Sequence, residues 1–175
     1  MPDLLILVNG LPGAGKTTLA HQLGETLDAV VISKDTIKEA VADAVRLDEQ
    51  STAALGAAAM EAAWVLAAAV ARTVVVESWW FAPRDLELVR AGISAVSPDR
   101  VVEVWCDAGT ATARTRYAAR RRHAVHHDAQ RLERDWEIWA TQGRPLALSP
   151  TVEADTSEPV DVARLAAQVR AAARA

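Results

Sequence analysis

The stretch Gly10-Leu11-Pro12-Gly13-Ala14-Gly15-Lys16-Thr17 satisfies the pattern G-x-x-x-x-G-K-[ST] at every constrained position, and few sequence features restrict a fold more tightly. Each residue type has a physical reason. The glycines let the backbone curl with its N–H groups turned inward and leave no side chain to block a phosphate oxygen. Lys16 then reaches the β- and γ-phosphates, the Thr17 hydroxyl serves Mg²⁺, and Thr18 continues into a helix whose positive end faces the anion. The flanks agree. Leu4-Leu5-Ile6-Leu7-Val8 is an apolar run of strand length leading into the loop, and Leu19, Ala20, Leu23 and Leu27 recur at helical spacing after it. Strand, loop and helix come in the order that a nucleoside-triphosphate site requires.

Length and charge narrow the setting. The 175 residues suit a single domain spanning 1–175, and a formal charge of −4 argues against non-specific nucleic-acid binding. One cysteine, Cys106, excludes an internal disulfide and any multi-cysteine metal site, which suits a reducing cytoplasm. Pro2-Asp3 leads straight into the first strand, so no signal peptide is expected. Thr52 to Ala71 is almost uncharged and as long as a membrane span. It is mostly alanine, carries Glu61 near its middle and runs into another strand, so the expectation is a buried or half-buried helix and no membrane partner. Of the three lysines, Lys16, Lys34 and Lys38, two fall in candidate site segments.

Beyond the first helix, Ala29 to Ile32 forms a short apolar strand, and Ser33-Lys34-Asp35 follows at its carboxyl end, where open α/β sheets place ligands. Thr36 and Glu39 fit a capping box opening a helix to about Leu47. Asp35 then either stands just outside the cap and faces the cleft or is itself the N-cap. Thr73 to Glu77 is a β-branched run suited to a central strand. Its terminal carboxylate, Glu77, either organises Mg²⁺ through water or orients a substrate hydroxyl, or else pairs with an arginine. Trp79, Trp80 and Phe81 follow as a pocket wall or as core.

The second half continues the alternation. Pro83 suits the first turn of a helix reaching about Ala95, Val101 to Cys106 is a strand, and Thr110 to Arg122 reads as a helix. On it, Arg116 and Arg120 share a face and either converge on phosphate or are solvated. Trp136 and Trp139, three apart, read as helix packing. After a turn at Gly143-Arg144-Pro145 come a strand near Thr151 to Ala154 and an amphipathic helix, Val160 to Ala173, with Val162, Leu165, Ala166 and Val169 inward. Five strands alternating with helices predict an α/β three-layer sandwich with a parallel sheet in the order 2-3-1-4-5. His123, His126, His127 and Asp128 lack a persuasive ligand spacing for zinc, and surface or phosphate-contacting histidines are expected instead.

Four features together carry a resemblance: the phosphate loop, Asp35 after the second strand, Glu77 ending the third, and the Arg-rich segment before a short helical lid at about 120–142. The chain resembles, over nearly its whole length, the small P-loop kinases that include chloramphenicol phosphotransferase, the zeta toxins, gluconate kinase and the kinase domain of phage polynucleotide kinase. The resemblance implies that Asp35 is the base that activates a substrate hydroxyl and that Arg120 sits over the nucleotide or its phosphates. Arg120-Arg121-Arg122-His123 looks like the lid-entry motif of gluconate kinases, but Arg122 and Ala124 stand where those have glycine and an aromatic residue. Glu77 stands where the family often has aspartate.

The expectation is therefore an ATP- and Mg²⁺-dependent phosphotransferase. Lys16, Asp35 and Arg120 carry the catalysis. Gly10, Leu11, Pro12, Gly13, Ala14, Gly15, Lys16, Thr17, Thr18 and Arg120 hold the nucleotide, with Thr17 as metal ligand. Asp35, Glu77, Trp79 and Trp80 face the acceptor, and the two acids suggest a neutral or amine-bearing hydroxyl compound such as an antibiotic, amino sugar or nucleoside. Two alternatives stand. A polynucleotide 5′-hydroxyl kinase is opposed by the acidic total charge. A non-catalytic ATP-binding switch that sequesters its ligand needs the phosphate loop but not the Asp35 carboxylate. Monomer and homodimer are both compatible with the sequence.

Overall fold

The first strand, β1 (Leu5–Gly10), is buried at every residue, as an apolar run must be when a parallel sheet is covered on both faces. The computed structural model describes residues 1–45 and 52–174. In it β1 is the centre of a five-stranded sheet. Beside it run β2 (Val30–Ser33), β3 (Val74–Glu77), β4 (Val101–Asp107) and β5 (Thr151–Asp155). The order is β2-β3-β1-β4-β5 and every pairing is parallel, as the sequence predicts.

Strand alternation divides the core into two layers. Ile6 and Val8 face the layer of α1 (Lys16–Leu27), α5 (Thr110–Ala119), α6 (Asp128–Gln142) and α7 (Val162–Ala172), where they meet Leu19, Leu23, Trp136, Leu165 and Val169. Leu5 and Leu7 face α3 (Thr52–Ala69) and α4 (Ala82–Val96), against Ala63, Trp64, Val89 and Val96. The last helix, α2 (Lys34–Ala44), lies on α3 beyond the β2 edge.

Helix α3 is long and apolar enough to cross a membrane by length and composition alone. Here Leu55, Ala59, Ala63, Trp64 and Ala67 form a buried stripe at helical spacing, and small residues let it approach α2 and α4 closely. Two expected boundaries move. α2 ends at Ala44, where Val45 turns extended, short of the end expected near Leu47, a residue outside the described ones. α5 stops at Ala119 rather than Arg122, because Arg120 turns extended (φ −72°, ψ 144°) and its side chain finds partners across the lid.

Beneath the phosphate loop lies a buried polar knot. Asn9 donates through Nδ2 to the Trp80 carbonyl (3.2 Å) and to Glu103 Oε1 (3.0 Å), and its Oδ1 accepts from the Gly10 (2.8 Å) and Trp80 (3.1 Å) N–H groups. Glu103, 1% exposed, also accepts from the N–H of Leu146 (2.9 Å) and Ala147 (3.3 Å). Burial pushes its carboxyl pKa up, and these hydrogen bonds work against that rise. Glu103→Ala should lower stability by about 3 kcal/mol, because it strands buried donors without partners. Urea unfolding monitored by tryptophan fluorescence checks this; an unchanged midpoint would show that the knot is not structural.

Candidate active site

The phosphate loop is shaped by backbone that only glycine tolerates. Gly13 and Gly15 have φ of +86° and +84°, the left-handed region. A Cβ at Gly13 would collide with the Ala113 carbonyl of α5, and one at Gly10 with the Cys106 carbonyl of β4. Gly15 then hands the chain to α1, which starts with no side-chain cap, so its first N–H groups are left for an anion. Lys16 is buried, and its Nζ donates to the Leu11 carbonyl at 3.0 Å. Burial lowers the Lys16 pKa, while the negative charges of Glu77 and Asp35 oppose that shift. A buried ammonium with a single hydrogen bond is a site awaiting an anion, so the residues fit a nucleotide phosphate.

Pro12, Gly13, Gly15, Lys16, Thr17 and Thr18 line a cleft of about 410 Å³, whereas Gly10, Leu11 and Ala14 shape the loop from behind. Thr17 is exposed in that cleft and is the residue that would hold Mg²⁺. Among the described residues no group of three or more His, Cys, Asp or Glu side chains could hold a metal by itself.

The same cleft contains Asp35. It faces the cleft as one reading of the sequence expects, but it is neither outside the cap nor the cap itself: Ser33 is the N-cap, its Oγ accepting from the Thr36 N–H at 3.4 Å, and Asp35 lies inside the first turn of α2. The Ser33 hydroxyl also donates to Glu77 Oε2 at 2.8 Å, which joins the ends of β2 and β3. Glu77 is thus a buried structural partner at the cleft wall as well as a source of charge beside Lys16, and its partner is a serine rather than an arginine. Burial raises the Asp35 carboxyl pKa, but the charges of Lys34 and Arg122 outweigh it and hold the group well below the usual carboxylate range.

Arg122 is the residue that sequence reasoning missed. Its Nη1 donates to Asp35 Oδ2 at 2.6 Å, while its Nε and Nη2 grip Asp128 at 2.7 and 2.9 Å. Arg120 reaches the cleft as expected, bonded through Nε to Asp128 Oδ2 (3.0 Å) and stacked 4.2 Å over Tyr117. Arg116 also borders the cleft, yet it donates to the Thr156 and Ser157 carbonyls (2.8 and 2.9 Å), so it and Arg120 do not form the shared helical face that a longer α5 would give. The histidines diverge: His123 meets Asp43, His126 meets Glu39 and His127 meets Thr52, so their rings do not share one partner. Burial drops the pKa of His126 to about 4, so it is neutral at pH 7.

A second cavity of about 760 Å³ opens beside the cleft. Lys34, Trp79, Arg84, His126 and Arg131 line both spaces. Trp79 is half-buried and lies among Phe81, Trp105 and Trp139. Trp80 is 3% exposed, stacks on Trp64 with centroids 6.0 Å apart, and touches only the second cavity. Both rings therefore act as core and wall at once. Trp136 and Trp139 are buried as expected, but Trp139 also borders the cleft, with Arg131 5.2 Å above its ring.

A glycine cradle that opens onto a buried lysine and an uncapped helix makes this a P-loop nucleotide-binding protein. The chain belongs to the AAA_33 family, described as an AAA domain, which matches residues 5–146. Among solved structures it is similar to a protein of Chloroflexus aurantiacus classed as a kinase on provisional grounds. The identity is 25%, the TM-score 0.77, and 96% of this chain and 97% of that one are covered. It also shares the fold of a gluconokinase from Sinorhizobium meliloti (18% identity, TM-score 0.63, 98% and 94% covered). A third is the APS kinase of Mycobacterium tuberculosis in complex with AMPPNP and APS (17%, 0.65, 98% and 97%). No curated protein matches the chain in sequence.

The Asp128 anchor of Arg120 and Arg122 should show in acid. Burial works to raise the pKa of Asp128, but the hydrogen bonds and charges of Arg122 and Arg120 prevail and lower it from 3.8 to about 2. Unfolded chains then take up a proton on this group before folded ones do, so its contribution is whole above pH 3.8 and disappears as pH falls through about 2. The expected loss is about 2 kcal/mol across that window. Asp128→Asn should abolish that part of the pH dependence, measured by urea unfolding of both proteins at about pH 5 and about pH 2.5. Identical pH profiles would remove Asp128 as the anchor.

Proposed function

We propose that the protein is an ATP-dependent kinase that moves the γ-phosphoryl group to a hydroxyl of a small molecule. The observation that carries this reading is the cleft itself, which holds Lys16 and Thr17 of the phosphate loop together with the Asp35 carboxylate and the lid arginines Arg120 and Arg122. The likeness to a gluconokinase and an APS kinase supports it at the level of the fold.

Phosphoryl transfer asks a protein mainly for positioning, neutralisation of spreading negative charge and an oriented nucleophile. Lys16 and the α1 N-terminus meet the β- and γ-phosphates, and Arg120 meets them from the lid side. Mg²⁺, when bound at Thr17, supplies further shielding of the same oxygens. Asp35 presents Oδ1 to the acceptor hydroxyl, because Oδ2 is taken by Arg122 while Oδ1 has, among the described residues, only Lys34 Nζ at 3.7 Å. The acceptor oxygen bonds to the γ-phosphorus as the bond to the bridging oxygen breaks. ADP leaves with that electron pair, and the hydroxyl proton passes to Asp35 and on to water. A carboxylate held so firmly ionised is a weak base, and it serves because a loose transition state needs the proton removed only late.

The test is to incubate the protein with Mg²⁺, γ-labelled ATP and a panel of hydroxylated metabolites, sugars, nucleosides, antibiotics and 5′-hydroxyl oligonucleotides, following the label. Label should appear on one small-molecule class. With that acceptor, Asp35→Asn should cut kcat by about 10²–10⁴-fold with ATP affinity retained. Label that goes only to oligonucleotides, or an Asn variant that transfers normally, would overturn this assignment.

A further inference from the structure

The nucleotide cleft and the second cavity meet along a wall made of Lys34, Trp79, Arg84, His126 and Arg131. On the kinase reading above, this boundary is where a donor phosphate and an acceptor hydroxyl come together. Most of the wall is already engaged. Arg84 grips Asp85 with two bonds of 2.7 Å, and His126 pairs with Glu39 at 2.7 Å. Trp79 packs among Phe81, Trp105 and Trp139. Arg131 lies 5.2 Å over the Trp139 ring and faces Asp135 at 3.8 Å. Lys34 is different: among the described residues it has no hydrogen-bonded partner and only Asp35 Oδ1 at 3.7 Å.

A simple ion pair with the next residue does not explain Lys34. At 3.7 Å its Nζ is outside hydrogen-bond range of Oδ1, and the Asp35 charge is already met by Arg122 at 2.6 Å. The flexible lysine stem could close the gap. Instead Nζ stands near α3, where a Cβ added at Gly56 would come within 3.9 Å of it. The side chain is 22% exposed, so the ammonium has given up much of its water without gaining a bond. Burial lowers its pKa and the charges of Arg131, Arg84 and Arg122 add to that, with Asp35 opposing. Such a cation is a cost to the empty protein, of the kind that functional groups impose on a fold. Its position has a use. A hydroxyl that donates to Asp35 Oδ1 lies within reach of Nζ, because two hydrogen bonds of about 2.8 Å readily span the distance between them.

We propose that Lys34 is a further catalytic residue, whose ammonium donates to the oxygens of the γ-phosphoryl group as that group passes from nucleotide to acceptor. This rests on the kinase reading and adds to it a residue that acts at the point of transfer. Lys16 holds the phosphates from the donor side, and Lys34 meets the moving group beside Asp35. Lys34 keeps its proton throughout. The acceptor oxygen bonds to phosphorus, the bridging bond breaks with its electron pair going to ADP, and the hydroxyl proton goes to Asp35. A donor fixed where the group lies in mid-transfer contributes most in the transition state.

The test is titration calorimetry of the full chain with Mg²⁺ and ADP, with and without tetrafluoroaluminate, a planar anion that stands in for the phosphoryl group in flight. The wild-type protein should bind ADP more tightly with the mimic present. Lys34→Met should cut that preference about tenfold or more, the size of a charge-assisted contact, and leave the affinity for ADP alone unchanged. Without nucleotide the same variant should unfold in urea at an unchanged or higher midpoint: folding lowers the Lys34 pKa from 10.5, so at neutral pH the charged lysine costs the fold stability that methionine does not. A preference that stays at the wild-type level would overturn the proposal, as would a wild-type protein without one. A lower midpoint would make Lys34 a structural cation and overturn it too. Loss of the preference in Lys34→Met, with no label passed from ATP to any compound of the panel above, would strike the kinase reading alone. Label transfer at the wild-type rate by Lys34→Met would strike this inference alone.

Discussion

Asn9 ties the start of the phosphate loop to the start of the aromatic wall. It is wholly buried at the last turn of β1 before the phosphate loop, and its amide satisfies backbone from β1 and from the segment after β3 while also joining Glu103 of β4. The Gly10 contact sets where the loop begins, and the two Trp80 contacts set where the aromatic wall begins. A single side chain thus fixes the spacing between the nucleotide end of the cleft and the neighbouring cavity. A buried amide can do this because its partners have no competing water: each lost hydrogen bond would leave a desolvated group at a cost of about 1–3 kcal/mol.

Above that base the site is held by charge rather than by packing. Arg122 spans Asp35 and Asp128, so one guanidinium links the first turn of α2 to the first turn of α6. Since Asp35 is 36% exposed, the Arg122–Asp35 pair is worth only on the order of 1 kcal/mol after solvent screening. Asp128 is the firmer partner, being gripped by two arginines and hydrogen-bonded to the Tyr117 hydroxyl.

The fold was legible because its signals are local. An apolar run before a glycine-rich loop, strands ending in Ser33 and Glu77, and strict alternation of strand and helix leave few topologies, and the sheet order followed from them. The phosphate loop was legible for the same reason, each of its residues being required by its own backbone or by phosphate. Arg122 was not legible, because its importance lies in two carboxylates 87 and 6 residues away in sequence. Asn9 reads as an ordinary end of a strand, and its partners lie 71 and 94 residues off. Thr36 and Glu39 mimic a capping box, which leaves Asp35 either just outside the cap or as the cap itself, yet Ser33 caps first and serves Glu77 as well.

The same distinction governs acceptor chemistry. In sequence, Asp35 and Glu77 stand near the aromatic wall and suggest a cationic or neutral guest, whereas Lys34, Arg84 and Arg131 are scattered over three helices. In the fold both signs are paired: Glu77 accepts from Ser33 and Asp35 from Arg122, while on the wall common to both cavities Arg84 holds Asp85 and Arg131 faces Asp135 at 3.8 Å. Field strength in such a recess follows which charges are already paired, not how many lie nearby in the chain. Arg84 is paired with Asp85 as firmly as Asp35 is with Arg122, so what sets this wall apart is Lys34, which among the described residues has no hydrogen-bonded partner and only Asp35 Oδ1 at 3.7 Å.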